Sequence, residues 1–375
     1  MEHDTSIESM RCGKHGSHKG RNQRDSILTL KETIQNIKPL DQKAMGQAKQ
    51  RWDSIAKPLH SLGLLEDAIV QIAGISGTPK VDIGRRALLI SCADNGVVAE
   101  GVSQSGQEIT AVVAEDFLEG KSSACKMAQK TGTDLFAYDV GMARDTKVPA
   151  CKQAYGTKDM AKDPAMSRKQ AVRTIENGIR LAVEKKEEGY RILATGEMGI
   201  GNTTTSAAVS SVLLQEPVEK MVGKGAGLSD EGLLRKVRVI RQAIEVNHPD
   251  PADPVDVLSK VGGFDIANMA GIFLGGAAAG IPVLIDGFIS SVAALCAVRL
   301  CPNASGYILS SHVSEEAGSK AVLEALGKKA FLHCEMGLGE GTGAVACLPL
   351  LDLALCVYNE MSTFEDIRIE PYKPL

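Results

Sequence analysis

The chain has 375 residues, 44% hydrophobic and 4% aromatic, with a formal net charge of −4. That length allows one large or two modest domains around a sizeable core. Few aromatic stacking platforms and no basic excess argue against a nucleic-acid partner, and leave small phosphorylated ligands open.

Residues 1–25 are polar and lack an apolar h-region, so they read as a mobile extension and not as a secretory signal. Cys12, His15 and His18 stand three apart within it, and a metal site or a solvated tail would both fit; the tail is the plainer reading. Residues 26–75 read as helical. SILTLKETIQNI and QKAMGQAKQRWDSIA carry apolar positions at helical spacing, and Lys57–Ile75 reads as a loop followed by another helix.

From about residue 85 short apolar runs recur, each closed by a polar or glycine-rich break. They are RALLISCADNG, TDLFAYDVGM, GYRILATGEMG, IPVLIDGF and SGYILSSHVS. Strands without alternation are buried on both faces, which predicts a parallel sheet covered by helices. Ligands bind such sheets beyond the carboxyl ends of the strands. The first four runs end in Asp94, Asp139, Glu197 and Asp286, a set of acids that suits a cationic or proton-bearing substrate. The apolar stretch Met269–Val298 is interrupted by Pro282 and Asp286, so it reads as helix–strand–helix and not as a membrane span. Gly343–Ser362 is a last apolar helix, expected to pack on the N-terminal helices.

The fold class expected is α/β, a doubly wound, mostly parallel Rossmann-like sheet with a small helical domain built from both chain ends. Residues 1–25 form the extension, 26–80 with 345–375 the helical domain, and 81–344 the α/β catalytic domain. The nine cysteines include no C-x-x-C pair. Cys92, Cys296, Cys347 and Cys356 lie among apolar or small residues, which predicts buried free thiols in a reducing cytoplasm.

Several stretches could carry chemistry. TGEMGIGNTTTSAA places Gly196, Gly199 and Gly201 between a strand ending at Thr195 and a helix beginning near Thr203, with Thr203 and its neighbours as caps. It matches neither the Walker pattern nor G-x-G-x-x-G, and glycines alone leave an anion loop and a bare tight turn equally open. GLGEGTGA holds Glu340 between glycines, where it is a general base or a cap for the next helix. In GKGAGLSDEGLLRKVRVI, Ser229 or Asp230 caps a helix bearing Lys236, and a lone helical lysine ordinarily faces solvent. Asp265, after two glycines, reads as an N-cap or first-turn carboxylate. His312 and His333 are isolated and are assigned no metal.

Together these stretches resemble the nicotinate-nucleotide–dimethylbenzimidazole phosphoribosyltransferases of cobalamin assembly. KPLHSLGLLE, CADNGVVAEGVS, DPAMSR, GEMGIGNTT, VLSKVGGFDIANMAG, VLIDGF, SSHVSEEAG and GLGEGTGA follow the family's order over roughly residues 30 to 360. The resemblance implies transfer of the 5-phosphoribosyl group from nicotinate mononucleotide to an aromatic base, usually 5,6-dimethylbenzimidazole. It implies Glu340 as general base with Glu197 in the same site. Gly196, Gly199, Gly201, Asn202, Lys236 and Ser314 would surround the ribose phosphate, Asp265 would stand near the ribose, and Ser105 and Leu338 would line the base pocket. It implies a symmetric homodimer acting on small molecules in the cytoplasm, with no cofactor, metal, nucleic acid or membrane. Asn95 stands where many members have histidine, and Gly106 where many have proline. Both substitutions bear on which base is accepted, so adenine or a phenolic base is the alternative acceptor.

The chemistry fits these residues. The donor's pyridinium nitrogen is positive and the ribose C1′ turns cation-like as its bond breaks, so carboxylates suit the transition state. The attacking benzimidazole must shed a proton, and an unperturbed glutamate, titrating near about 4.3, is ionised and ready at pH 7. Glu197 is expected to face the ribose or base, and Lys236 to supply the positive partner its loop lacks. An NAD-dependent oxidoreductase would need G-x-G-x-x-G after RALLIS, which is missing. A non-catalytic sensor of nucleotides or corrinoid precursors is the remaining rival.

Overall fold

The computed structural model describes residues 29–225 and 227–372. The N-terminal extension, with Cys12, His15 and His18, lies outside the described residues. In chain order the elements are α1 (Leu30–Asn36), α2 (Gln42–Ser54), α3 (Leu64–Ser76), β1 (Arg86–Ala93), α4 (Glu108–Leu118), α5 (Ser123–Lys130) and β2 (Thr133–Gly141). Then come α6 (Arg168–Glu187), β3 (Ile192–Met198), α7 (Asn202–Leu214), α8 (Val218–Met221), α9 (Asp230–Asn247), α10 (Pro254–Val261) and α11 (Phe264–Ala279). The chain finishes with β4 (Val283–Leu284), α12 (Phe288–Leu300), β5 (Ile308–Leu309), β6 (His312–Ser314), α13 (Ser319–Ala325), β7 (Leu332–Met336) and α14 (Thr342–Glu360).

Five strands pair in parallel in the order β2-β1-β3-β4-β5. The chain crosses from one side of β1 to the other between β2 and β3, which opens a crevice beyond the strand ends. Two separate cores explain the unbroken apolar runs. Ala87, Leu89 and Ala93 of β1, with Leu193 and Val283, join one cluster with α6 and α11. Leu88, Ile90 and Cys92, with Ile192, Ala194 and Leu284, join another with α3 and α14. Alternate residues of each strand therefore serve opposite layers, and both layers are buried.

The fourth and fifth runs are shorter as strands than the apolar pattern suggests, two residues each, and SSHVS separates into β6. β6 pairs with β7 as a small second sheet. β7 gave no strand signal because it buries little: His333, Cys334 and Glu335 are exposed. α14 is long and apolar enough to cross a bilayer, yet 56% of that window is buried inside the protein. It packs on α3, α5 and β3, and the Trp52 and Tyr358 rings meet at 5.1 Å between α2 and α14. Cys92, Cys296 and Cys347 are buried free thiols, but Cys356 is exposed, because its position on α14 faces away from that packing.

Helices α6 and α11 approach backbone to backbone. A Cβ on Gly271 would lie 2.0 Å from the Ile175 carbonyl oxygen, and one on Gly178 would lie 2.0 Å from that of Asn268. The obstructing atoms are backbone, so neither side can yield by changing a rotamer. Gly271→Ala is expected to destabilise the protein by about 3 kcal/mol, the upper end of the overpacking range, read from the denaturant midpoint. Gly46→Ala, at an exposed helical site with nothing within 4 Å, should be neutral or slightly stabilising.

Candidate active site

The turn after β3 begins the site. Gly199 lies where a Cβ would come within 2.3 Å of the Ala93 carbonyl, and Gly201 takes φ 93° as the N-cap of α7. The strand runs three residues further than expected, to Met198, and the helix starts at Asn202 with no side-chain cap. The amides of Asn202 and Thr204 donate to the Gly199 and Gly201 carbonyls at 3.1 and 2.9 Å, so what the helix start offers an anion is chiefly the positive end of its dipole. Glu197 does not face those amides. Its carboxylate is tied by the Asn202 side-chain amide across the turn.

The second loop approaches from the far end of the chain. Gly339, Glu340 and Gly341 take φ of 84°, 60° and 85° in succession. A left-handed glutamate between two left-handed glycines is strained backbone, which concentrates at functional sites. Glu340 does not cap its own helix. Its carboxylate lies 3.4 Å from the amide of Ala124, at the start of α5. Asp286 does the capping instead, accepting from the amides of Gly341, Gly343 and Ala344 at 3.0, 2.7 and 3.1 Å. Gly196 is the contact between the two loops: a Cβ there would stand 2.8 Å from the Glu340 carbonyl oxygen.

A cavity of about 260 Å³ lies between these loops. Glu197, Gly199, Asn202, Ser314, Leu338 and Glu340 line it, together with Asp286, His312 and Glu316. An adjoining cavity of about 80 Å³ shares Gly199, Asn202 and Thr203 and adds Gly201 and Lys236. Lys236 is not on a solvated face. It is 0% exposed, and its ammonium donates to Thr203 Oγ1 at 2.8 Å and to the Gly223 carbonyl at 3.1 Å. Ser229 caps its helix.

Asp265 lies under the floor. It is fully buried in the first turn of α11, and a Cβ on Gly199 would sit 2.9 Å from its Oδ2. Ser105 lines neither cavity; its amide donates to Ser103 Oγ at 3.2 Å. Asn95 is buried behind the turn, and Gly106 precedes α4; neither lines these cavities. Among the strand-end acids, Glu197 and Asp286 reach the larger cavity. Asp139 instead pairs with Lys152 at 2.8 Å, and Asp94 accepts the Ala143 amide at 2.8 Å.

Burial changes the charges expected from free side chains. It pushes Glu197 up to about 8, reinforced by Asp265 and Asp286 and opposed by the Asn202 hydrogen bond. Burial therefore favours the protonated form of Glu197 near neutral pH, unlike a free glutamate. Burial also raises Asp265 to about 7, and lowers Lys236 to about 8 against the pull of Glu316. Glu340 is raised by burial and by Asp286, and is held down by the Ala124 amide.

Sequence reasoning missed three neighbours. His312, set aside as isolated, lies beside Asp286: burial lowers its pKa and the Asp286 charge raises it. Glu316 has a buried Oε2 with no hydrogen-bond partner among the described residues. Thr203, read as a cap, holds the lysine. The run SSHVSEE was the available signal for two of them, since polar residues cluster there after an apolar strand.

A phosphoribosyltransferase family profile matches residues 37–369. A nicotinate-nucleotide–dimethylbenzimidazole phosphoribosyltransferase of Acetivibrio thermocellus is 49% identical over 92% of this chain and 99% of its own length. One from Ruminiclostridium cellulolyticum is 47% identical over 93% of this chain and 100% of its own. The crystal structure of CobT from Thermus thermophilus superposes with a TM-score of 0.83 at 37% identity, covering 88% of this chain and 99% of that one.

Proposed function

The chain belongs to the nicotinate-nucleotide–dimethylbenzimidazole phosphoribosyltransferase family, and from that premise we propose how its site performs the transfer. Nicotinate mononucleotide gives up its 5-phosphoribosyl group to 5,6-dimethylbenzimidazole, forming α-ribazole 5′-phosphate and nicotinate. The observation that carries this reading is the convergence of Glu340 and Glu197 on one cavity that adjoins the start of α7 and Lys236.

The phosphate end of the donor lies against the α7 amides, with Lys236 as its counter-charge and Gly199, Gly201, Asn202 and Ser314 around it. Gly196 sets the spacing of the two loops, and Asp265 supports the ribose side from beneath Gly199. The ribose C1′ faces the two glutamates. Its C–N bond to the pyridinium breaks as a ring nitrogen of the benzimidazole forms the new bond. Glu340 takes the proton from the other ring nitrogen. Glu197 gives up its own proton to solvent water as the cationic ring binds beside it, so its negative charge accompanies the donor's positive one. Leu338 stands at the base side of the cavity. Holding both substrates together supplies most of the acceleration. The scheme uses no cofactor and no metal.

The strained, glycine-flanked Glu340 favours an enzyme over a non-catalytic sensor. A symmetric homodimer is part of the proposal, supported by exposed apolar side chains at Leu338, Leu353, Ile367 and Ile369. Activity in the cytoplasm accords with the free cysteines among the described residues. The test is a competition assay. Nicotinate mononucleotide is mixed with equal amounts of 5,6-dimethylbenzimidazole, adenine and a phenol, and the products are separated by mass. α-Ribazole 5′-phosphate should dominate. Dominance of another ribosylated base would replace the acceptor, and no product at all would remove the enzymatic reading.

A further inference from the structure

We propose that Asp286 is a positioning residue for Glu340, holding the backbone of residues 339–341 in place by capping α14 from the end of β4. The N-cap position of α14 is Gly341, which offers no side chain of its own. Asp286 supplies the missing acceptors from 55 residues away, Oδ2 to the Gly341 amide and Oδ1 to those of Gly343 and Ala344. The peptide it grips at Gly341 immediately follows Glu340, whose φ of 60° is unfavourable for a residue with a side chain. Surrounding bonds must over-determine such a conformation if it is to persist.

Asp286 is itself pinned. Its amide donates to Ser290 Oγ at 3.1 Å, its carbonyl accepts from Ser311 Oγ at 3.0 Å, and it is 2% exposed. It therefore serves as a rigid anchor, with its carboxylate engaged by backbone. The titratable groups around this pair are His312 on β6 and Glu197 on β3, with Asp116 of α4 acting on Glu340 from the other side. The Asp286 charge also bears on Glu340 directly, adding to the burial that raises it.

The inference rests on the reading of Glu340 as general base, so the test measures both residues. The pH dependence of kcat is recorded for the wild type, Asp286→Asn and Glu340→Gln, each with its thermal midpoint. Asn keeps one acceptor oxygen and the side-chain volume while removing the charge. Asp286→Asn should lower kcat about 10- to 100-fold with the KM for nicotinate mononucleotide within about twofold, the pattern of a misplaced catalytic group. Its acid limb should move to lower pH, because loss of a negative neighbour lowers the pKa of Glu340. A loss that raises the KM for nicotinate mononucleotide as much as it lowers kcat, or that only follows a lowered thermal midpoint, marks a general structural cap and overturns the inference. So does wild-type kcat in a folded Asp286→Asn protein. If Asp286→Asn does not fold, Asp286→Ser, a smaller neutral cap, is measured against the same criteria. Wild-type turnover in Glu340→Gln would instead remove the base assignment, which is a separate failure.

Discussion

Glu340→Gln lowers kcat by about 10²- to 10⁴-fold, the range for loss of a general base, with donor KM within about twofold. The amide matches the carboxylate in shape and keeps an oxygen for the Ala124 amide that the carboxylate faces at 3.4 Å. What it loses is the ability to accept a proton from the attacking heterocycle. The defect should therefore appear in turnover and not in donor binding. The pH profile gives a second reading. Burial and Asp286 raise the Glu340 pKa, so wild-type activity should fall, as pH decreases, above the ordinary carboxylate range. Normal turnover in the variant would leave Glu340 as a wall of the cavity and make Glu197 the next candidate.

Lys236→Ala raises the KM for nicotinate mononucleotide by about 30- to 10³-fold, corresponding to about 2–4 kcal/mol for loss of a buried charged partner. The KM for the acceptor base stays within about twofold. The ammonium is held by Thr203 and the Gly223 carbonyl beside the start of α7, so the variant removes the cation at the positive end of that helix. Because burial lowers Lys236 to about 8, the free enzyme loses this charge as pH rises through that value. Donor KM should rise there in the wild type and stay flat across the same interval in Lys236→Ala. Lys236→Arg should restore binding only in part, since the Thr203 hydroxyl and the Gly223 carbonyl are set around a single ammonium and not a planar fork. Equal losses for donor and base would withdraw the phosphate role.

How far the residues could be read in advance depended on what each signal measured. The doubly wound sheet was legible because strands buried on both faces leave apolar runs without alternation, as Ala87–Ile90 does. β7 was not, because a strand pairing only with β6 needs no apolar pattern. The two glycine loops were legible as loops, and their resemblance to a family brought Glu197 and Glu340 into one site. Their charge state was not legible, since a pKa near 8 for Glu197 arises from burial and from acids far away in sequence. Lys236 was misjudged as solvated for the same reason: helical spacing says which residues share a face but not what covers that face. Asp286 was visible as a strand-end acid, yet its work as a cap depends on a helix that begins 56 residues later.

The meeting of Gly196 with the Glu340 carbonyl has an evolutionary consequence. The gap between the two segments is kept by the absence of a single methyl group at Gly196. Any lineage that gains a side chain there must displace the Glu340–Gly341 backbone in the same step, so the two segments can drift only in concert, however far apart they stand in the gene.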